Sequence, residues 1–222
     1  MIFYDIHTHR IRFEENDTAQ RSCIINVSPL EFETAKELYK QCVFSCGIHP
    51  WCLEDSDIQM AHLTKIANNP RIVAIGETGL DKLKNPSLDA QIPVFKKHIE
   101  LSENLKKPLI IHCVKAWNEL IRVRHETKPT QPWIIHGYRG KPNLTEQLVK
   151  ERFRFSVGSK INTHSMSLIP IDSLFCETDE SEPDIREVYL QASKAANMDI
   201  EAFADKVAKN VHKVFPMLEL HS

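Results

Sequence analysis

At 222 residues, with a formal net charge of −2 and 42% hydrophobic residues, the chain is long enough for one large domain or two small ones with a sizeable core. The charge balance excludes a generally basic nucleic-acid wrapper but not a local cationic patch. No run approaches the roughly 18 apolar residues of a membrane-spanning helix, and the N-terminus lacks a charged segment followed by a long apolar stretch. A cytoplasmic protein without a membrane partner, and a monomer, is the expectation.

The first apolar run, Ile2–Ile6, predicts a strand, and it leads into His7-Thr8-His9. Side chains on a strand alternate faces, so the two imidazoles point the same way, about 7 Å apart along it. They could converge on one metal ion, although a single His-x-His is a weak signal. A second strand is predicted at Cys23–Val27. A helix follows in PLEFETAKELYKQ, with Pro29 at its start, acids early and Lys late. Strand three, Cys42–Cys46, is followed by Gly47-Ile48-His49-Pro50, and strand four, Arg71–Ile75, by Gly76-Glu77.

Ser87 is the expected N-cap of a long helix with Leu88, Ile92, Phe95, Ile99 and Leu105 on one stripe. Strand five, Pro108–Ile111, ends at His112, and strand six, Pro132–Ile135, at His136. AWNELIRVRHET and NLTEQLVKE are the helices after them. Strand seven is Phe153–Val157, with at most a short helix beyond it. Strand eight, Ser173–Cys176, ends in Glu177-Thr178-Asp179, and a helical tail runs from about residue 184 to 215.

Eight short apolar strands alternating with helices predict an α/β fold, a single-domain (β/α)8 TIM barrel spanning 1–222. An open doubly wound sheet would carry a Gly-rich first turn, which HTHRIRFEEND lacks. The six cysteines form no Cys-x-x-Cys pair and mostly sit in apolar runs, so buried free thiols are expected.

In a barrel the C-terminal strand ends share one face. His7, His9, His49, His112 and His136 therefore gather there with Glu77 and Asp179. Imidazoles mixed with carboxylates suit zinc, manganese, iron or nickel; an all-oxygen set would suit magnesium or calcium. Six ligands exceed one tetrahedral ion but suffice for two: His7, His9 and Asp179 for one, His112 and His136 for the other, with Glu77 bridging. Paired ions of this kind activate water and clamp the oxygens of a displacement.

DIHTH, CGIHP, AIGETGLD, Gln91 and Phe95, KKPLIIHC, IIHGYRG, FCETD and AKNVHKVF occur in this order over almost the whole chain. In these the sequence resembles the TatD family of metal-dependent deoxyribonucleases, among the amidohydrolase-type barrels. The resemblance implies two divalent ions (zinc, manganese, magnesium, nickel or iron) and hydrolysis of DNA, with His7, His9, Glu77, His112, His136 and Asp179 as ligands. It also implies that His49, in Gly-x-His-Pro, contacts phosphate. The chain departs from the family at Trp51, where a histidine is common, at Cys113-Val114-Lys115 in place of Ser-Arg, in the acidic ESEPD stretch, and in being shorter.

Lys115, Tyr138 and Arg139 follow strand-end ligands and are candidate phosphate contacts, Arg bidentately. Asp5 is either a residue orienting a ligand histidine or an ordinary strand carboxylate. Trp51 is expected in a loop core rather than against a base, and His62, His98, His125, His164, His212 and His221 at the surface. Asp179 is the expected proton acceptor for the attacking water, with Glu77 beside it as a catalytic carboxylate. The expected activity is two-metal phosphodiester hydrolysis of DNA or a small phosphodiester, trimming strand ends. A C–N or carboxyl-ester hydrolase and a non-catalytic metal-binding module are the alternatives. Lys115, Arg139 and Lys141 favour phosphate, and a scaffold needs no base.

Overall fold

The computed structural model describes residues 1–9, 20–216 and 218. Its strands are β1 (Ile2–Thr8), β2 (Gln20–Val27), β3 (Val43–Cys46), β4 (Ile72–Asp81), β5 (Leu109–Val114), β6 (Trp133–Ile135), β7 (Arg154–Val157) and β8 (Leu174–Cys176). The helices are α1 (Phe32–Leu38), α2 (Ser56–Ile66), α3 (Leu88–Leu105), α4 (Trp117–Thr127), α5 (Pro142–Lys150), α6 (Thr163–Met166), α7 (Ile185–Ala195) and α8 (Ile200–Val214). The strands belong to one sheet in chain order, β1 to β8. Beyond β8, Asp179 donates its amide to the His7 carbonyl on β1 at 2.9 Å. The fold class is the (β/α)8 barrel.

All eight expected strands are present. The largest difference is β4, which runs six residues past its apolar stretch, because Thr78 to Asp81 pair in parallel with Ile111 to Val114 of β5. Gly76 is required in that extension. Its φ is +138°, and a Cβ there would meet the Ile110 carbonyl oxygen at 2.4 Å.

Helix α2 escapes sequence reading because Leu63 is its one buried residue, which leaves no apolar stripe. The expected continuous tail is two helices. Asn197 turns the chain with a φ of +53°, and Asp199 caps α8 by accepting from the Ala202 amide at 2.7 Å. In α3 the buried stripe is Gln91, Val94, Phe95, His98, Ile99 and Ser102, with Leu88, Ile92 and Leu105 at its margins. Two long polar side chains thus replace part of the apolar face.

By compactness the chain divides into two units, Asn26–Ile134 and a second made of Met1–Ile25 with Ile135–Ser222. In the second, Tyr189 of α7 holds β1, accepting from the Tyr4 amide at 3.1 Å and donating to its carbonyl at 3.0 Å. Asn210 of α8 donates to the carbonyls of Ile171 and Leu174, fixing the entry to β8. In Asn26–Ile134, the Arg71 guanidinium donates to the carbonyls of Lys36, Tyr39 and Cys42, which joins the end of α1 to the start of β4. Phe95 packs edge-on against the fully buried Trp133.

All six cysteines are free thiols. Cys46, Cys113 and Cys176 are buried, whereas Cys52 is exposed.

Candidate metal centre

Within Met1–Ile25 and Ile135–Ser222, the ends of β1 and β8 hold His7, His9 and Asp179 together. The backbone sets this arrangement: Thr8 forms a parallel bridge with Asp179, the His9 amide lies 3.4 Å from the Asp179 carbonyl, and Asp179 takes a φ of +54°. One Asp179 oxygen then lies 3.7 Å from His7 Nε2 and 3.5 Å from His9 Nε2. His7 is fully buried and its ring centroid is 4.4 Å from that of His136.

Asp5 holds the backbone of this corner. Its carboxylate accepts from the amides of His7 and Thr178 and, at 2.6 Å, from the Thr178 hydroxyl. Burial pushes its carboxyl up to about 7, against those hydrogen bonds.

His136, Glu177 and Asp179 form an overlapping donor group. Glu177 accepts from the Gly137 amide at 2.6 Å and lies 3.3 Å from His136 Nδ1. Burial opposes its charge, yet His136 and His7 beside it hold the carboxyl below its usual range.

Within Asn26–Ile134, His49, Glu77 and His112 form a further group. One Glu77 oxygen is 2.9 Å from His112 Nδ1 and 3.2 Å from His49 Nε2, and the Glu77 amide donates to Asn26 at 2.7 Å. Asp81, four residues on and therefore on the same face of β4, lies 3.4 Å from His112 Nε2. It also accepts from the Trp51 indole at 2.8 Å. Gln91 pins the end of β4, accepting from the Asp81 amide and donating to its carbonyl.

The ligand atoms within each group lie no more than 4.8 Å apart, as atoms sharing one ion must. Imidazoles with one or two carboxylates fit a divalent transition metal.

Sequence reading and structure diverge at several side chains. His49 belongs to a metal-capable group as well as to a strand end. Tyr138 is buried, its hydroxyl bonded to Thr145 at 2.8 Å and its ring against Phe155, so the side chain is a packing group. Lys115 and Arg139 are exposed.

Trp51 is not in a loop core but half exposed. His98 is fully buried rather than superficial: Nδ1 donates to the Val94 carbonyl and Nε2 accepts from the Ile48 amide at 3.0 Å, bracing the residue before His49. His212 bonds Tyr4 at 2.7 Å, while His125 and His164 are exposed as expected. His221 lies outside the described residues. Glu177 and Asp81, which lie within FCETD and AIGETGLD, are the site carboxylates that sequence reasoning misses. Their signal was strand alternation carried past the apolar run.

A (β/α)8 fold whose strand ends carry histidine–carboxylate groups is suited to metal-dependent chemistry. The chain belongs to the TatD related DNase family, whose profile matches residues 5–216. An uncharacterized metal-dependent hydrolase of Buchnera aphidicola is 31% identical over 198 residues, 79% of this chain and 75% of that protein. The 3'-5' ssDNA/RNA exonuclease TatD of Erwinia billingiae is 29% identical over 171 residues, 70% of this chain and 66% of its own length. Among solved structures, the TatD homolog YJJV of Escherichia coli superposes with a TM-score of 0.81 at 19% identity, covering 96% of this chain and 98% of that one.

Proposed function

We propose that the chain hydrolyses phosphodiester bonds of single-stranded nucleic acid, removing nucleotides from a strand end. His7, His9, Glu77, His112, His136 and Asp179 would hold two divalent ions. The carrying observation is the set of histidine–carboxylate groups at the strand ends. The exposed Lys115 and Arg139, which follow β5 and β6, favour an anionic substrate, and the name of the Erwinia relative supports an exonuclease.

Bound divalent ions would bring the pKa of water towards neutrality and neutralise phosphate charge. Asp179, partly exposed and beside two imidazoles, orients the attacking water and accepts its proton. Asp5 and the β1–β8 backbone bonds fix the stretch of chain that carries this carboxylate. Lys115 and Arg139 contact phosphate oxygens, Arg139 in a bidentate manner.

Metal-reconstituted protein should release mononucleotides from single-stranded DNA or RNA faster than it cleaves an aryl phosphodiester, and should leave an amide panel intact. Glu77→Ala should lose at least one ion by elemental analysis. In Asp179→Asn, which keeps a carbonyl ligand but no proton acceptor, the rate should stay about 10²–10⁴-fold down at saturating metal. Full rescue by added metal would place the base elsewhere, and preferential amide cleavage would replace the nuclease reading.

A further inference from the structure

Trp51 leaves 47% of its surface in water although the indole is held from several directions. Its Nε1 donates to Asp81 at 2.8 Å and its amide to His49 Nδ1 at 3.3 Å. The ring meets the imidazoles of His49 and His112 edge to face, with centroids 4.6 and 5.6 Å away. The buried Asp81 that anchors it is itself fixed by the Leu83 amide at 2.8 Å and, through its backbone, by Gln91. The ammonium of Lys84, an exposed residue, lies 5.2 Å from the indole centroid.

Exposed aromatic surface is ordinarily mobile, and immobilising it on binding costs entropy. Here the orientation is already set, two residues beyond His49 of the metal-capable group. A flat apolar face paired with a cation, beside a site read as acting on phosphate, matches a nucleobase and its adjoining phosphate. We propose that Trp51 and Lys84 form such a subsite: the indole stacks on the base nearest the scissile linkage, and Lys84 contacts the neighbouring phosphate. The proposal rests on the phosphodiesterase reading above. Stacking tolerates any base, so the subsite selects for the presence of a base rather than its identity.

The test is equilibrium binding of a phosphorothioate-protected single-stranded oligodeoxynucleotide to the metal-loaded protein. It is compared with a series of strands in which one abasic residue is moved along from the end. In the wild type, one terminal position should be sensitive to base removal, with binding about 5- to 150-fold weaker. Trp51→Ala should weaken the intact strand by a similar factor and abolish that sensitivity, whereas Trp51→Phe should retain most of it. Lys84→Ala should reduce the slope of log affinity against log salt by about 0.7. The metal content of each variant, measured alongside, should equal that of the wild type. Additive losses from Trp51→Ala and the abasic residue, or no loss from either, would overturn the subsite and leave the nuclease reading standing. A wild-type protein that neither binds nor cleaves any strand would overturn both.

Discussion

Glu177 has no exposed surface, yet it keeps a charge next to two candidate ligands. Its hydrogen bond from Gly137 shapes the turn after β6, and its closeness to His136 Nδ1 favours the tautomer that leaves Nε2 as a ligand atom. Glu177→Ala should therefore bind divalent metal about 10- to 100-fold more weakly, the usual worth of a group that orients a ligand histidine. Glu177→Gln, which can still accept both bonds but has no charge, should fall between. Competition against a chelator of known affinity measures both. Unchanged affinity in the two variants would reduce Glu177 to a turn former. Such roles are hard to read from sequence because nothing in Glu-Thr-Asp says which carboxylate meets the metal and which meets a histidine. The ligands themselves were easier, since each follows an apolar run and so marks a strand end.

At the scale of elements, legibility followed burial. The apolar runs Trp133-Ile134-Ile135 and Leu109-Ile110-Ile111 are fully buried, and they announce their strands. The outer half of β4 is buried too, but Gly76, Glu77, Thr78, Gly79 and Asp81 carry no such signal, because their surroundings are the site and the neighbouring β5 backbone. His98 on α3 was misread for a related reason: a buried neutral histidine beside Lys96 and Lys97 looks like part of a solvated face. Burial pushes this histidine down from 6.5 to about 4, so it is neutral in the native chain. The unfolded chain binds the extra proton between those two values, so stability falls as pH falls through that window and the loss is complete near pH 4. The whole effect is about 3 kcal/mol, of which about 2 kcal/mol is lost by pH 5. In urea titrations at pH 7 and pH 5, the wild type should lose that increment while His98→Gln, though weaker at pH 7, should lose less. Equal losses would show that His98 is not neutral in the folded chain.

At the scale of the whole molecule, the sequence order of strands and helices was sufficient for the barrel class. The continuous stripe that would have revealed α2 was absent because that helix buries little of itself. The site, by contrast, is assembled from residues as distant in sequence as His7 and Asp179, so its ligands exist as groups only in the folded chain. An ion that binds the native state and not the unfolded chain stabilises it by mass action. At a free metal concentration 100-fold above the dissociation constant, each site adds about 2.7 kcal/mol. For a chain of this length, 1 kcal/mol moves the midpoint by roughly 2–4 °C, so each ion should raise it by roughly 5–11 °C. Scanning calorimetry of chelated and metal-loaded protein should therefore show a shift of roughly 10–20 °C for two ions. His7→Ala and Glu77→Ala should each lose about half of it, whereas Arg139→Ala should keep all of it. A loaded wild type that melts with the chelated protein would mean that these groups hold no ion under the conditions tested, and the metal-dependent reading of this chain would fail with them.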